Sequence, residues 1–256
     1  MRCGYCYASS SRFVDELSYD GFVGLCRWLR RCGVRLAVLT DGEPLLSEES
    51  RRKCLAAIDV FDQVWVVTNG TFTLPDWRCK FFVSLDGGEE VHDGVRSRGV
   101  FKRVARNVED ALKRGLAVYA HLVVSEANYI RLGDCVRDVL ATGVKGVAVS
   151  FETPWRLGFE ARRGCVKELI ALKNGGLAVL NSEYELRLML SDWSRWCPRW
   201  FVACFDSRGV RKKCVFGDRC YPLCGCLPYA SVLSLLCLRG SSLADVFLAR
   251  HYFGDH

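Results

Sequence analysis

The sequence has little that would carry a protein into a membrane or out of a cell. No stretch of its 256 residues approaches the roughly 18 uncharged apolar residues a spanning helix needs. The start, Met1-Arg2-Cys3-Gly4-Tyr5-Cys6, lacks the apolar centre of a signal peptide. A soluble, cytoplasmic protein is expected. Glutamine is nearly absent (Gln63 alone), asparagine is scarce, and nine lysines face 27 arginines. Scarce thermolabile amides suggest a thermophilic source. With 50% hydrophobic and 25% charged residues, the composition excludes a disordered chain or a fibre. The length suits one full domain or one and a half, enough to bury a core without staples.

Cysteine, by contrast, is abundant. Fifteen of them without a secretion signal read as metal or cluster ligands before disulfides, although a thermophilic interior leaves a few disulfides open. The net charge of +7 could suit nucleic acid. The arginines are scattered, however (Arg27, Arg30, Arg31; Arg103, Arg106; Arg162, Arg163), and interleaved with apolar residues. They read as solvated helix faces, and a nucleic-acid partner is not expected.

Along the first two-thirds, short β-branched runs alternate with amphipathic stretches. Strands are expected at 34–39 (VRLAVL), 63–68 (QVWVVT), 81–85 (FFVSL), 116–124 and 147–151, and helices at 47–61, 101–114 and 130–141, the last with Asn128 as its start signal. The alternation argues for parallel βαβ units. Polar clusters follow the C-terminal ends of these strands: Thr40-Asp41-Gly42-Glu43-Pro44, Thr68-Asn69-Gly70, Asp86-Gly87-Gly88, Ser125-Glu126-Ala127-Asn128 and Glu152-Thr153-Pro154. In parallel α/β proteins that edge holds the ligand. No strand precedes Cys3 and Cys6. From about Tyr184 the alternation stops, and six cysteines fall between Cys197 and Cys226 around a hairpin signal at Asp206-Ser207-Arg208-Gly209. A helix at 231–238 and a short tail follow. We expect an α/β fold: a partial (βα)6 TIM-like barrel over 1–190, lacking its first strand, a small Cys-rich module over 191–240, and a tail over 241–256.

Cys3-Gly4-Tyr5-Cys6 alone is a C-x2-C pair, equally suited to half a zinc site or a redox dithiol. Its company narrows the choice. Leu39-Thr40-Asp41-Gly42-Glu43-Pro44 follows, then Val83-Ser84-Leu85-Asp86-Gly87-Gly88, then His92-Asp93-Gly94-Val95-Arg96. In this order, over residues 1 to about 155, they resemble the radical S-adenosylmethionine (radical SAM) superfamily. Its members carry C-x3-C-x2-C, a Gly-Gly-Glu-Pro turn and, in the peptide-modifying branch, a Ser-Leu-Asp-Gly strand end with a His-Asp-x-x-Arg segment.

The resemblance implies a [4Fe–4S] cluster with one open iron, where S-adenosylmethionine (AdoMet) is cleaved and a hydrogen atom is then taken from a substrate. It implies Cys3 and Cys6 as cluster ligands and Tyr5 beside the adenine. Backbone at Gly42 and the side chain of Glu43 would receive the cofactor's ammonium group, with Asp41 and Pro44 of the same turn also counted as cofactor-binding. Ser84, Asp86 and Arg96 would serve its carboxylate and ribose, and Thr68 and Asn69 would line the site. The chain departs from the pattern in two places. Asp41 replaces the first glycine of the turn, which Asp tolerates better than most residues. The first cysteine of C-x3-C would fall two residues before Met1, so the true start is expected upstream and the sequence as written is expected to hold the cluster weakly.

Cys197, Gly209 and Cys214 match the opening of the SPASM or twitch auxiliary-cluster modules. One further cluster is expected on Cys197, Cys214 and two of Cys220, Cys224 and Cys226, with a structural zinc as the alternative. Cys26, Cys32, Cys54, Cys79, Cys135, Cys165, Cys204 and Cys237 read as small buried hydrophobes. Trp193, Trp196 and Trp200 read as packing around Cys197, His92 as a structural hydrogen-bonder, His121 as an inward-facing core histidine and Glu152 as a pocket residue.

The expected function is hydrogen-atom abstraction from a peptide or protein, with lipid, isoprenoid or cofactor biosynthesis as the alternative. A ferredoxin or flavodoxin is the expected reductant. A non-catalytic, zinc-stabilised degenerate barrel and an RNA-modifying relative are the rivals.

Overall fold

Parallel pairing organises the chain. A computed structural model describes residues 16–40, 42–191 and 202–214. In order these form α1 (Tyr19–Arg31), β1 (Leu36–Leu39), α2 (Glu48–Val60), β2 (Gln63–Thr68), β3 (Lys80–Ser84), α3 (Glu89–Val95) and α4 (Val100–Lys113). Next come β4 (Ala117–Val124), α5 (Leu132–Ala141), β5 (Val147–Phe151), α6 (Phe159–Asn174), α7 (Glu183–Leu188) and a hairpin of β6 (Cys204–Phe205) and β7 (Arg211–Lys212). Tyr5, Asp41, Cys3, Cys6, Cys197, Cys220, Cys224, Cys226, Cys237, the three tryptophans at 193, 196 and 200, and the helix expected at 231–238 lie outside the described residues.

The five long strands form one parallel sheet in the order β1-β2-β3-β4-β5. Strands covered on both faces read as continuous apolar runs: all five residues of β5 are buried, whereas β1 at the sheet edge alternates exposed and half-buried residues. The helix-side face carries the main core, in which Val66, Phe81, Val83, Leu122 and Val149 meet Val104, Val108, Val136 and Leu169. The opposite face, the inside of the half-barrel, has a smaller cluster of Phe82, Tyr119 and Ala148 with Trp65 and Val67. Phe82 lies 5.1 Å from Trp65 and 5.4 Å from Tyr119 between ring centroids.

Helix ends follow local chemistry. Ser18 and Ser47 cap α1 and α2, and Ser182 with Glu185 forms a capping box on α7. Helix α4 shows the expected stripe of Val104, Val108 and Ala111. Gly70 admits no side chain, because a Cβ there would lie 2.6 Å from a methyl of Val83.

The sixth strand is where the fold falls short of the regular alternation. Among the described residues it is reduced to one parallel bridge, Val147 to Val179. Beyond it the side chain of Asn181 takes over the ladder: Val149 N–H donates to its Oδ1 at 2.7 Å, and its Nδ2 donates to Val149 O at 2.9 Å. A buried amide thereby satisfies both backbone groups at the sheet edge. Asn181→Ala is expected to orphan both and lower stability by about 2–4 kcal/mol. Urea unfolding checks this as a lower midpoint at unchanged slope.

Candidate functional site

The C-terminal ends of all five strands lie along one edge, and the polar residues singled out above are gathered there. After β1, Gly42 has φ +56°, a left-handed conformation that favours glycine. The next residue, Glu43, ties two strand ends together. Its Oε1 accepts from the Thr68 hydroxyl at 2.6 Å and Leu45 N–H at 3.1 Å, and its Oε2 accepts from Asn69 N–H at 2.7 Å. A carboxylate offers about four acceptor positions. Among the described residues three are filled, and the remaining one lies on Oε2. Pro44 is buried behind this turn. Thr68 is itself buried and accepts from Gly70 N–H at 3.1 Å, while Asn69 Oδ1 holds Thr71.

Ser84 ends β3 on the inner face, half-buried, and among the described residues its hydroxyl makes no hydrogen bond. Asp86, two residues on, is fully buried. Its Oδ2 accepts from Arg96 Nε at 2.6 Å, and the Arg96 side chain is only 7% exposed. The two residues, expected above among the cofactor-binding groups, form a buried ion pair. The chain reverses tightly here because Gly87, at φ +154°, has no room for a Cβ, which would meet Cys135 Sγ at 2.9 Å.

The His-Asp-x-x-Arg segment divides its work among three residues. His92 is sealed in the core and its Nδ1 accepts from Asp86 N–H at 3.4 Å. Burial pushes the imidazole down to about 4, Arg96 adding to that effect and Asp86 opposing it. Asp93 accepts from Gly99 N–H at 2.5 Å and Phe101 N–H at 2.8 Å, satisfying the first turn of α4. Arg96 neutralises Asp86.

On the next strand, His121 is half-buried on the inner face, in register with Ser84, and its Nε2 lies 2.9 Å from Ser150 Oγ on β5. Burial lowers this imidazole too, to about 4. Asn128, read above as a helix start, is the N-cap of the 3-10 turn Tyr129–Arg131 that leads into α5, and its side chain also braces the edge. Its Oδ1 accepts from Ser125 N–H at 2.9 Å, and its Nδ2 donates to Asp86 O at 3.0 Å and Val123 O at 2.9 Å. Asn in a turn is the only sequence signal for that role. Glu152, after β5, is buried; burial raises its carboxyl against the opposing pull of Arg156, which lies 3.3 Å away. Arg162 is fully buried with its guanidinium carbon 4.5 Å from the Phe151 ring centre and 5.5 Å from that of Trp155.

The cysteines sort by burial. Cys26, Cys54, Cys135 and Cys165 are buried, and burial raises each thiol to about 11 or 12, so they act as inert packing. Cys79 and Cys204 are half-buried, while Cys32 is exposed because it ends α1 rather than facing the core. Cys214, two residues after the end of β7, is half-buried and packed against the main core. Its hairpin turns at Asp206, whose Oδ1 accepts from Arg208 and Val210 N–H. Burial alone would raise the Asp206 carboxyl, but these bonds, with Arg208 and Lys212, bring it down to about 2. No three His, Cys, Asp or Glu side chains converge as a metal site among the described residues. No helix among them is long and apolar enough to cross a membrane.

A half-barrel of parallel strands with this edge has solved counterparts. The structure titled "Native anSMEcpe with bound AdoMet and Cp18Cys peptide" superposes with a TM-score of 0.64 at 14% identity, over 100% of this chain and 80% of that one. Streptococcus suis SuiB bound to precursor peptide SuiA gives 0.68 at 12% identity, over 86% of this chain and 58% of SuiB. The chain has the radical SAM fold. By sequence, the chain is 25% identical over 213 residues to the sporulation killing factor maturation protein SkfB of Bacillus subtilis (strain 168), covering 75% of the chain. The chain spans about half of that relative's length (50%). No family profile matches it.

Proposed function

We propose that this chain is the radical SAM portion of a peptide-modifying enzyme that abstracts a hydrogen atom from its substrate. The observation that carries the reading is the strand-end geometry: a Glu43 carboxylate with one acceptor position left and, at the end of β3 along the same edge, a Ser84 hydroxyl that makes no hydrogen bond among the described residues. Those two groups fit the ammonium and carboxylate ends of an amino acid such as the methionyl part of AdoMet. Glu43 would hold the ammonium at Oε2, Gly42 would leave its backbone open to approach, and Ser84 would donate to the carboxylate. Asp86 and Arg96 would fix Ser84 from behind. The cluster, on Cys3, Cys6 and a third thiolate, would supply the electron that splits AdoMet.

The peptide substrate is supported by the relatives. SkfB is named for maturing a killing factor, and SuiB and anSMEcpe were solved with peptides. Cys214, with Cys197 and two of Cys220, Cys224 and Cys226, would hold an auxiliary cluster, and a ferredoxin or flavodoxin would deliver electrons. Anaerobic reconstitution with iron and sulfide tests the reading: about four irons per chain or more, with AdoMet bound, are expected. Zinc alone would overturn it.

A further inference from the structure

The inner face of the half-barrel changes character along its length. Toward the N-terminal ends of the strands it is aromatic and aliphatic, with Trp65, Phe82 and Tyr119 in contact. At the opposite rim it becomes polar in one layer. Ser84 pairs in register with His121, and His121 Nε2 reaches Ser150 Oγ at 2.9 Å on the following strand. Packing would be served there by the residue types used one layer below. Three hydrogen-bonding side chains instead form a row leading from the Ser84 hydroxyl away from Glu43.

We infer that His121, held by Ser150, is a substrate-positioning residue that hydrogen-bonds a backbone amide of a bound peptide. The inference rests on the peptide reading above and extends it to a named contact. Among the described residues, His121 Nδ1 makes no hydrogen bond, and the residue as a whole keeps partial exposure. Sequestration keeps the imidazole uncharged at neutral pH, so it recognises a neutral partner instead of an anion. Neutral imidazole bonded to a hydroxyl adopts either tautomer, leaving Nδ1 as acceptor or donor. A peptide group, with N–H and C=O adjacent, satisfies either. Because the contact is to backbone, it recognises extended peptide without dictating its side chains.

The test follows from that side-chain independence. The full chain, 15N-labelled at histidine, is titrated with blocked triglycine (N-acetyl, C-amide) while the imidazole nitrogens are observed. The chain has four histidines, and loss of one signal in His121→Phe identifies the resonance. A saturable shift of Nδ1 is expected, with a dissociation constant on the order of 1–10 mM. The analogue with the central amide replaced by an ester should bind about 3–10-fold more weakly. Ser150→Ala should weaken the response similarly while leaving the unfolding midpoint close to that of the unmodified chain. Absence of a saturable shift, or equal binding of amide and ester, would overturn the inference. A chain that responds to triglycine but fails to cleave AdoMet would overturn the radical reading and not this contact. Cleavage without any amide response would do the reverse.

Discussion

Asp86→Ala is expected to be the most destabilising single substitution near the site, lowering stability by about 3–5 kcal/mol. The carboxylate is fully buried and receives Arg96 Nε at 2.6 Å. Removing it takes a directly bonded counter-charge away from a guanidinium that is only 7% exposed. Against a typical total of about 5–15 kcal/mol, that is a large fraction. A melting temperature lower by on the order of 10 °C should report it in calorimetry. The sign of the pair term is separable: Asp86→Ala combined with Arg96→Met should be more stable than Asp86→Ala alone, since no guanidinium is left without that counter-charge. Equal or lower stability of the double variant would mean that the ion pair is not what Asp86 contributes. The same loss should also weaken AdoMet binding, because Ser84 lies two residues before the pair and loses its backing.

Glu43→Gln is expected to abolish function with little change in shape. Both carboxylate oxygens accept from protein donors, with Thr68 and Leu45 on one and Asn69 on the other. An amide NH2 in place of either oxygen meets a donor with a donor, and the negative charge offered to an ammonium group is gone. Loss of one charge-assisted bond plus the clash, about 2–4 kcal/mol, corresponds to roughly 30- to 1,000-fold weaker AdoMet binding. Glu43→Asp should lose nearly as much, because shortening by one methylene withdraws the oxygens from Thr68 and Asn69. Isothermal titration calorimetry decides it: a dissociation constant within twofold of the unmodified chain would remove Glu43 from the site.

The fold was largely legible because parallel strands and amphipathic helices announce themselves by period. Residues 63–68 and 147–151 are strands over the expected spans, and 47–61 holds helix α2. The clustering of Glu43, Thr68, Ser84 and Glu152 at one edge followed from their places after successive strands. What sequence could not give was which polar residues face a ligand and which face each other. Asp86 and Arg96 are ten residues apart, and only the fold-back of α3 makes them a pair. Asn128 and Asn181 have the same residue type and unrelated duties, one bracing a turn and the other ending a sheet. Both depend on which backbone groups lack partners, a property of the assembled edge. Cys32 shows the limit of composition: it shares a helix with buried Cys26 yet is exposed at its end.

The central claim is that AdoMet is split at the edge formed by Glu43 and Ser84. The most direct measurement is 5′-deoxyadenosine formation under anaerobic reduction with dithionite. It is made on the anaerobically reconstituted, cluster-loaded protein. The account predicts 5′-deoxyadenosine from this protein and none when Cys6→Ala is introduced. A protein loaded with a full [4Fe–4S] cluster that binds AdoMet and leaves it intact would contradict the account.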